Sequence, residues 1–179
     1  MKNIKIYLVA LVAILFSSCI KDEKVVFTDS VVEWDASVYN ANAAGLNYPF
    51  LTRVPGYGRA TVTTDPTIAR TSGSIKLRIN LVGAQRSTPT TVTYRVVALA
   101  QPQNPTATTP LPAVAGTHFT TSGTATIPAN SSFGEVEVQI VNPGVTSTAP
   151  RDVVLEIMST DGVKPSENDK FVGIRISQT

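Results

Sequence analysis

Apolar and polar residues alternate with a period of two in several stretches of the chain. Ile75, Leu77, Ile79 and Leu81 alternate with Lys76, Arg78 and Asn80. Val136, Val138 and Ile140 alternate with Glu135, Glu137 and Gln139, and Val172, Ile174 and Ile176 with Gly173, Arg175 and Ser177. Successive side chains of a strand point to opposite faces, so each stretch predicts a half-buried strand with one wet face. A longer strand is expected over 91–100, with Tyr94, Val96 and Ala98 on one side and Arg95 on the other. Shorter candidates are 31–38, 59–63, 123–127 and 153–158, and Val25 is placed at the start of the first strand. No stretch shows a helical period. About eight strands separated by Gly, Pro, Asn and Thr turns predict an all-β fold, an antiparallel two-sheet sandwich.

Three segments interrupt this pattern. Residues 40–58 carry Tyr48, Phe50 and Tyr57 beside Gly or Pro. Residues 101–112 contain Pro102, Pro105, Pro110 and Pro112. Proline lacks the donor a ladder needs, so this segment reads as an extended loop. Residues 142–151 form a Pro- and Thr-rich turn. Composition agrees with the pattern: 23 Thr and 22 Val stand against 10 Leu and 6 Glu. The β-branched excess favours strands over helices. A length of 179 residues fits one sandwich and excludes a large multidomain enzyme.

The N-terminal segment follows different rules. Lys2 and Lys5 precede an unbroken apolar run, residues 6–16. Eleven residues are too few to span a bilayer, which takes about 20. They fit the central region of a secretory signal peptide. The run ends in Phe16-Ser17-Ser18-Cys19, which resembles the lipobox of bacterial lipoproteins. That resemblance implies cleavage before Cys19, thioether lipidation of its sulfur and acylation of the new N-terminus. Cys19 is the only cysteine, so an intrachain disulfide is excluded and a separate role for it is expected. Lys21-Asp22-Glu23 resembles the surface-export signal of Bacteroidota lipoproteins, which implies an outer-membrane location facing the cell surface. The organisation expected is a signal peptide over 1–18, a lipidated tether over 19–24 and one sandwich domain over 25–179.

Charge changes with processing. The chain has 15 basic and 13 acidic residues, and loss of Lys2 and Lys5 leaves 13 of each. A neutral domain has no electrostatic footprint for nucleic acid. Membrane attachment would come from the acyl chains on Cys19, at about 0.8 kcal/mol per buried CH₂.

From 74 to 176 the order of features resembles a Calx-β module, an immunoglobulin-like sandwich. The strand over 74–81, the Val92-Thr93-Tyr94 strand, Gly116-Thr117-His118-Phe119, the turn over 128–132 and the paired strands over 136–141 and 153–157 carry the likeness. A leading Val32-Glu33-Trp34-Asp35 extends it to small Bacteroidota lipoproteins. Such proteins are often encoded beside outer-membrane nutrient-import systems. The resemblance therefore implies an outer-membrane transporter and its binding lipoprotein as partners, with a glycan or peptide as ligand. Calcium-binding members carry an Asp-Asp pair where this chain has Asn142-Pro143, and an Asp where it has His118. Calcium takes six to eight oxygens, and Asp152 and Glu156 supply too few, so no metal or other cofactor is expected.

Catalysis finds little support. There is no Gly-x-Ser-x-Gly, no His-Glu-x-x-His and no phosphate loop. His118, the only histidine, reads as a surface turn residue, and Glu135 and Glu137 as the solvated side of a strand. Binding through loops is the expected class, and the protein is expected not to be an enzyme. Trp34 and Phe50 are expected in the core. Tyr48 and Tyr57 are expected to be the exposed pair that meets a ligand or partner. Asp29-Ser30-Val31 resembles the O-glycosylation motif of Bacteroidota exported proteins, which implies a glycan on Ser30. The alternative function is a structural or adhesive envelope scaffold with no small ligand.

Overall fold

The computed structural model describes residues 29–98 and 111–179. Within them the chain forms two facing sheets, as the alternation predicts. The first sheet has the order β10-β1-β3-β8-β6, built from β1 (Val31–Trp34), β3 (Ser74–Val82), β6 (Phe119–Thr121), β8 (Phe133–Ile140) and β10 (Lys164–Pro165). The second has the order β2-β11-β9-β4-β7, from β2 (Phe50–Leu51), β4 (Thr90–Val97), β7 (Thr124–Ile127), β9 (Arg151–Thr160) and β11 (Phe171–Ile176). A further two-residue strand, β5 (Leu111–Pro112), pairs with β9. The long pairings carry the expected antiparallel sandwich, and the short two-residue pairings β1–β10, β2–β11 and β5–β9 at its margins are parallel. No helix among the described residues is long and apolar enough to cross a membrane.

The core sits between the sheets and is filled by the apolar half of each alternating stretch. Ile75, Leu77, Ile79 and Leu81 face inward beside Val136, Val138 and Ile140, and meet Val153, Leu155, Ile157, Val172, Ile174 and Ile176 of the other sheet. Trp34 ties the layers together. Its ring is buried, and its Nε1 donates to the Lys170 carbonyl at 3.0 Å, just before β11. It meets Tyr94 of β4 edge to face, with centroids 5.9 Å apart. Such pairs add about 0.5–1.5 kcal/mol beyond the area they bury.

Several expected elements differ. The strand over 31–38 stops at Trp34 and becomes a short helix, α1 (Asp35–Tyr39). Asp35, Ala36 and Ser37 are all buried, so the period of two is broken there. Their polar groups are used in place: Ser37 Oγ donates to the Phe171 carbonyl at 2.5 Å, and Asn40 Nδ2 to the Ala36 carbonyl at 2.8 Å. Residues 59–63 are irregular rather than a strand, because the Asp65 carboxylate takes the Val62 N–H and the Arg59 guanidinium locally. The segments 40–58 and 101–112, read as loops, contribute β2 and β5 respectively. The position of Val25 lies outside the described residues.

The outer face of the second sheet carries a small second layer of packing. Tyr48, Phe50 and Phe171 form an aromatic cluster there, with Tyr48 centroids 5.7 Å from each of the other two. Gly173 lies opposite Phe50 in the β2–β11 register. A Cβ on Gly173 would fall 2.5–2.8 Å from Phe50 ring carbons. The ring therefore occupies the space that any side chain at 173 would need. Gly173→Ala is expected to displace Phe50 and lower stability by about 1–3 kcal/mol, read as a lower denaturant midpoint with an unchanged slope. An unchanged midpoint would show that Phe50 does not rest on the glycine.

Candidate functional site

The polar half of the alternation in β3 and β8 forms the outer face of the first sheet. Asn80 pairs with Phe133, Arg78 with Glu135 and Lys76 with Glu137 across these strands. The loop between β2 and β3 lays Tyr57 over this face. The Tyr57 hydroxyl donates to Glu135 Oε1 at 2.7 Å, and Lys76 Nζ donates to Glu135 Oε2 at 2.9 Å. The Arg78 guanidinium carbon lies 3.3 Å from the Phe133 ring centroid and 5.6 Å from that of Tyr57. A cation over a ring face is attracted by the ring quadrupole. Both rings remain open to solvent, Tyr57 at 42% and Phe133 at 46%. The result is an aromatic–guanidinium–aromatic surface rimmed by Lys76 and Glu135.

Two acids hold the loop in place. Asp35 is buried, and its carboxylate accepts the Gly58 N–H at 2.9 Å and Asn80 Nδ2 at 3.1 Å, with Arg78 Nε 3.6 Å away. Asp65 accepts Arg59 Nη2 at 2.6 Å and the Val62 N–H at 2.8 Å. The Arg59 and Val62 bonds hold the Asp65 carboxyl down to about 2. Hydrogen bonds from Lys76 and Tyr57 lower Glu135, while burial, and then its bond to that carboxylate, push the Tyr57 phenol up. Tyr57 therefore remains a neutral donor to an ionised acceptor at neutral pH.

The other residues singled out by sequence are dispersed. Tyr48 is not exposed as expected. It is buried on the opposite sheet between Phe50 and Phe171, where burial raises its phenol. Phe50, expected in the core, is half-buried outside it, as a member of that same cluster. Trp34 is in the core. His118 is buried rather than a surface turn residue, and its Nδ1 accepts the Val114 N–H at 3.0 Å. Burial, reinforced by Arg151, lowers its pKa. The structure thus gives His118 the job of closing its own turn. Ser30 is half-buried, with its hydroxyl in the space a Cβ on Gly83 would need. Cys19, Lys21, Asp22 and Glu23 lie outside the described residues.

Three further carboxylates are engaged by a cation or a hydroxyl. Asp152 makes two hydrogen bonds with Arg175, at 2.9 and 2.8 Å, and Glu156 one with Arg95 at 2.9 Å. Glu137 accepts from Ser74 Oγ at 2.5 Å. No group of three or more His, Cys, Asp or Glu side chains among the described residues is placed to hold a metal ion.

Sequence reading missed Phe133 and Arg78. The signal was present: Phe133 is the one aromatic in the outward series Phe133, Glu135, Glu137, Gln139. An aromatic ring in the wet register of an otherwise polar strand face is the pattern that could have pointed to it.

No family model matches the chain, and no curated protein matches it. Among solved structures it is similar to the apo form of the Calx CBD1 domain, at 16% identity over 61% of this chain and 85% of that one, with a TM-score of 0.46. It is also similar to a candidate carbohydrate-binding protein from Bacteroides ovatus (12% identity, 59% of this chain, 31% of that one, TM-score 0.42). A third likeness is to a two-domain protein of unknown function from Bacteroides fragilis (6% identity, 84% of this chain, 46% of that one, TM-score 0.49). The chain spans less than half the length of each Bacteroides protein.

The low Asp65 value has a pH consequence. A folded-state pKa below the unfolded one contributes stability above about pH 4, lost as pH falls toward about 2. The Val62 amide resonance is expected to titrate with a midpoint near that low value. In Arg59→Ala the midpoint should rise toward the ordinary value of about 4. An unchanged midpoint in the variant would remove Arg59 as the cause.

Proposed function

We propose that this chain is a non-enzymatic binding module that docks a protein partner on the face formed by Tyr57, Arg78 and Phe133. One observation carries the proposal: a guanidinium 3.3 Å and 5.6 Å from the centroids of two solvent-open aromatic rings on the outer face of the first sheet. Tyr and Arg are the residue types that dominate interface energies, and aromatic rings are enriched in interface cores. Here the surrounding bonds fix the side chains in advance. Asp35 and Asn80 lie beneath Arg78, and Glu135 anchors Tyr57, so little rotamer freedom is left to lose on docking. Lys76 and Glu135 at the rim give the surface both signs of charge, which sets orientation more than affinity.

The setting we propose is the outer membrane of a Bacteroidota cell, facing outward. The support is the lipobox ending at Cys19 and the Lys21-Asp22-Glu23 sequence that follows it. In that setting the module is an accessory subunit of a nutrient-uptake complex, anchored by acyl chains and docked to the transporter or its binding lipoprotein. The neutral balance of 13 basic and 13 acidic residues after processing agrees with a protein partner better than with nucleic acid.

Recovery of the tagged chain from membranes in mild detergent tests this. The wild type is expected to retain one defined protein partner. Tyr57→Ala and Phe133→Ala are each expected to lower its recovery about tenfold or more, as loss of a hot-spot ring does, with melting temperature nearly unchanged. Recovery of the chain alone would overturn the docking role. Equal recovery with both variants would leave the face a passive surface and favour a structural envelope scaffold.

A further inference from the structure

A second surface lies beyond the docking face, where α1 leaves the first sheet. An open cleft of about 440 Å³ is lined there by Val38, Asn42, Asn47, Asn168 and Asp169, with Ser37 and Asn40 in its wall. That volume is within the range of about 300–1,000 Å³ typical of small-molecule sites. The wall residues are spent on structure. Ser37 bonds the Phe171 carbonyl, and Asn40 bonds the Ala36 carbonyl while its Oδ1 accepts both the Thr61 N–H and Oγ1 at 2.9 Å. The other amides are not. Among the described residues, the side chains of Asn42, Asn47 and Asn168 make no hydrogen bond.

Three solvent-exposed amides with no protein hydrogen bond, from two separate loops, therefore line one cleft. Each amide presents an acceptor oxygen beside two donor hydrogens. This mixed pair matches a hydroxyl, which also donates and accepts. The lining has no cation to bind an anion, and its one carboxylate, Asp169, which already bonds the Ser166 side chain, repels anions and accepts hydrogen bonds from hydroxyls. Val38, 45% exposed, offers a small apolar surface against which C–H groups can rest. A peptide would need apolar pockets for alternate side chains, and apart from Val38 the lining offers only Ala41.

We infer that this cleft binds a neutral polyhydroxylated ligand, a sugar unit of an uncharged oligosaccharide, through Asn42, Asn47 and Asn168. The cleft is distinct from the Tyr57 face, and its link to the loop of that face is the bonding of Thr61 to Asn40 in its wall. Binding is non-covalent and involves no bond exchange.

Asparagine-selective ¹⁵N labelling of the full chain, with NMR titration of the side-chain amides, tests this. The probes are cellohexaose, maltohexaose, xylohexaose and mannohexaose, with hexagalacturonic acid as the charged comparison. Each is used at about 10 mM, enough to populate a millimolar complex. At least one neutral probe is expected to shift the Asn42, Asn47 and Asn168 resonances, and the acid to leave them in place. The double substitution Asn47→Ala with Asn168→Ala should weaken that binding about tenfold or more, while the melting temperature is retained. Tyr57→Ala should bind the sugar as the wild type does, so failure of the docking reading and failure of this one are separable. Silence from all four neutral probes would overturn the inference. Undiminished binding by the double variant, or equal shifts from the acid, would overturn it as well.

Discussion

The outer architecture depends on one buried carboxylate. Asp35 follows directly on Trp34, whose ring is fixed in the core, so its side chain has little choice of position. From there it takes the Gly58 N–H and the Asn80 amide, with Arg78 alongside. Those contacts join three separate pieces: the helix α1, the wet side of β3 and the loop that carries Tyr57. A buried acid stripped of its partners is costly, and removing one member of such a group generally costs about 3–5 kcal/mol. The loop is therefore held on the sheet by a charge that has nowhere else to go. Arg78 is oriented at the same time, and its orientation puts the guanidinium against Phe133.

Helix α1 serves two surfaces through its two ends. Its first residue organises the Tyr57 loop. Residues at and just beyond its end form the wall of the amide-lined cleft, and Asn40 binds Thr61 of that same loop. Five residues make a weak helix by themselves, because nucleation is unfavourable and few internal bonds repay it. Its order comes from tertiary ties, namely Asp35 to the loop and Ser37 to β11. The core below is filled mainly by alternating Ile, Leu and Val from both sheets, with Trp34, Tyr94 and Phe119 among them.

This division explains what could be read from sequence. The long strands β3, β8 and β11 were legible because one face is buried and the other wet, and the period of two leaves that mark on the residues. The helix was not legible. Asp35 and Ser37 are polar yet buried, and only distant partners such as Asn80 and the Phe171 carbonyl make that burial tolerable. Tyr48 and Tyr57 look alike in sequence, each beside Pro or Gly. They part company because Tyr48 precedes a strand whose Phe50 rests on Gly173, while Tyr57 is carried across the other sheet by Asp35 and Glu135. His118 was misplaced for a similar reason: a backbone N–H four residues earlier satisfies its ring nitrogen, so it can be buried.

Asp35 builds the face that we propose meets another protein. A benzophenone side chain at position 133, activated by light in intact cells, reports contact at that face directly. The same group at Met158, exposed on the other sheet, serves as the reference position. A single defined adduct is expected from 133 and none from 158, and the adduct should disappear when Asp35→Ala releases the loop. Adducts of equal yield from both positions, or an adduct from 133 that survives the loss of Asp35, would contradict that proposal.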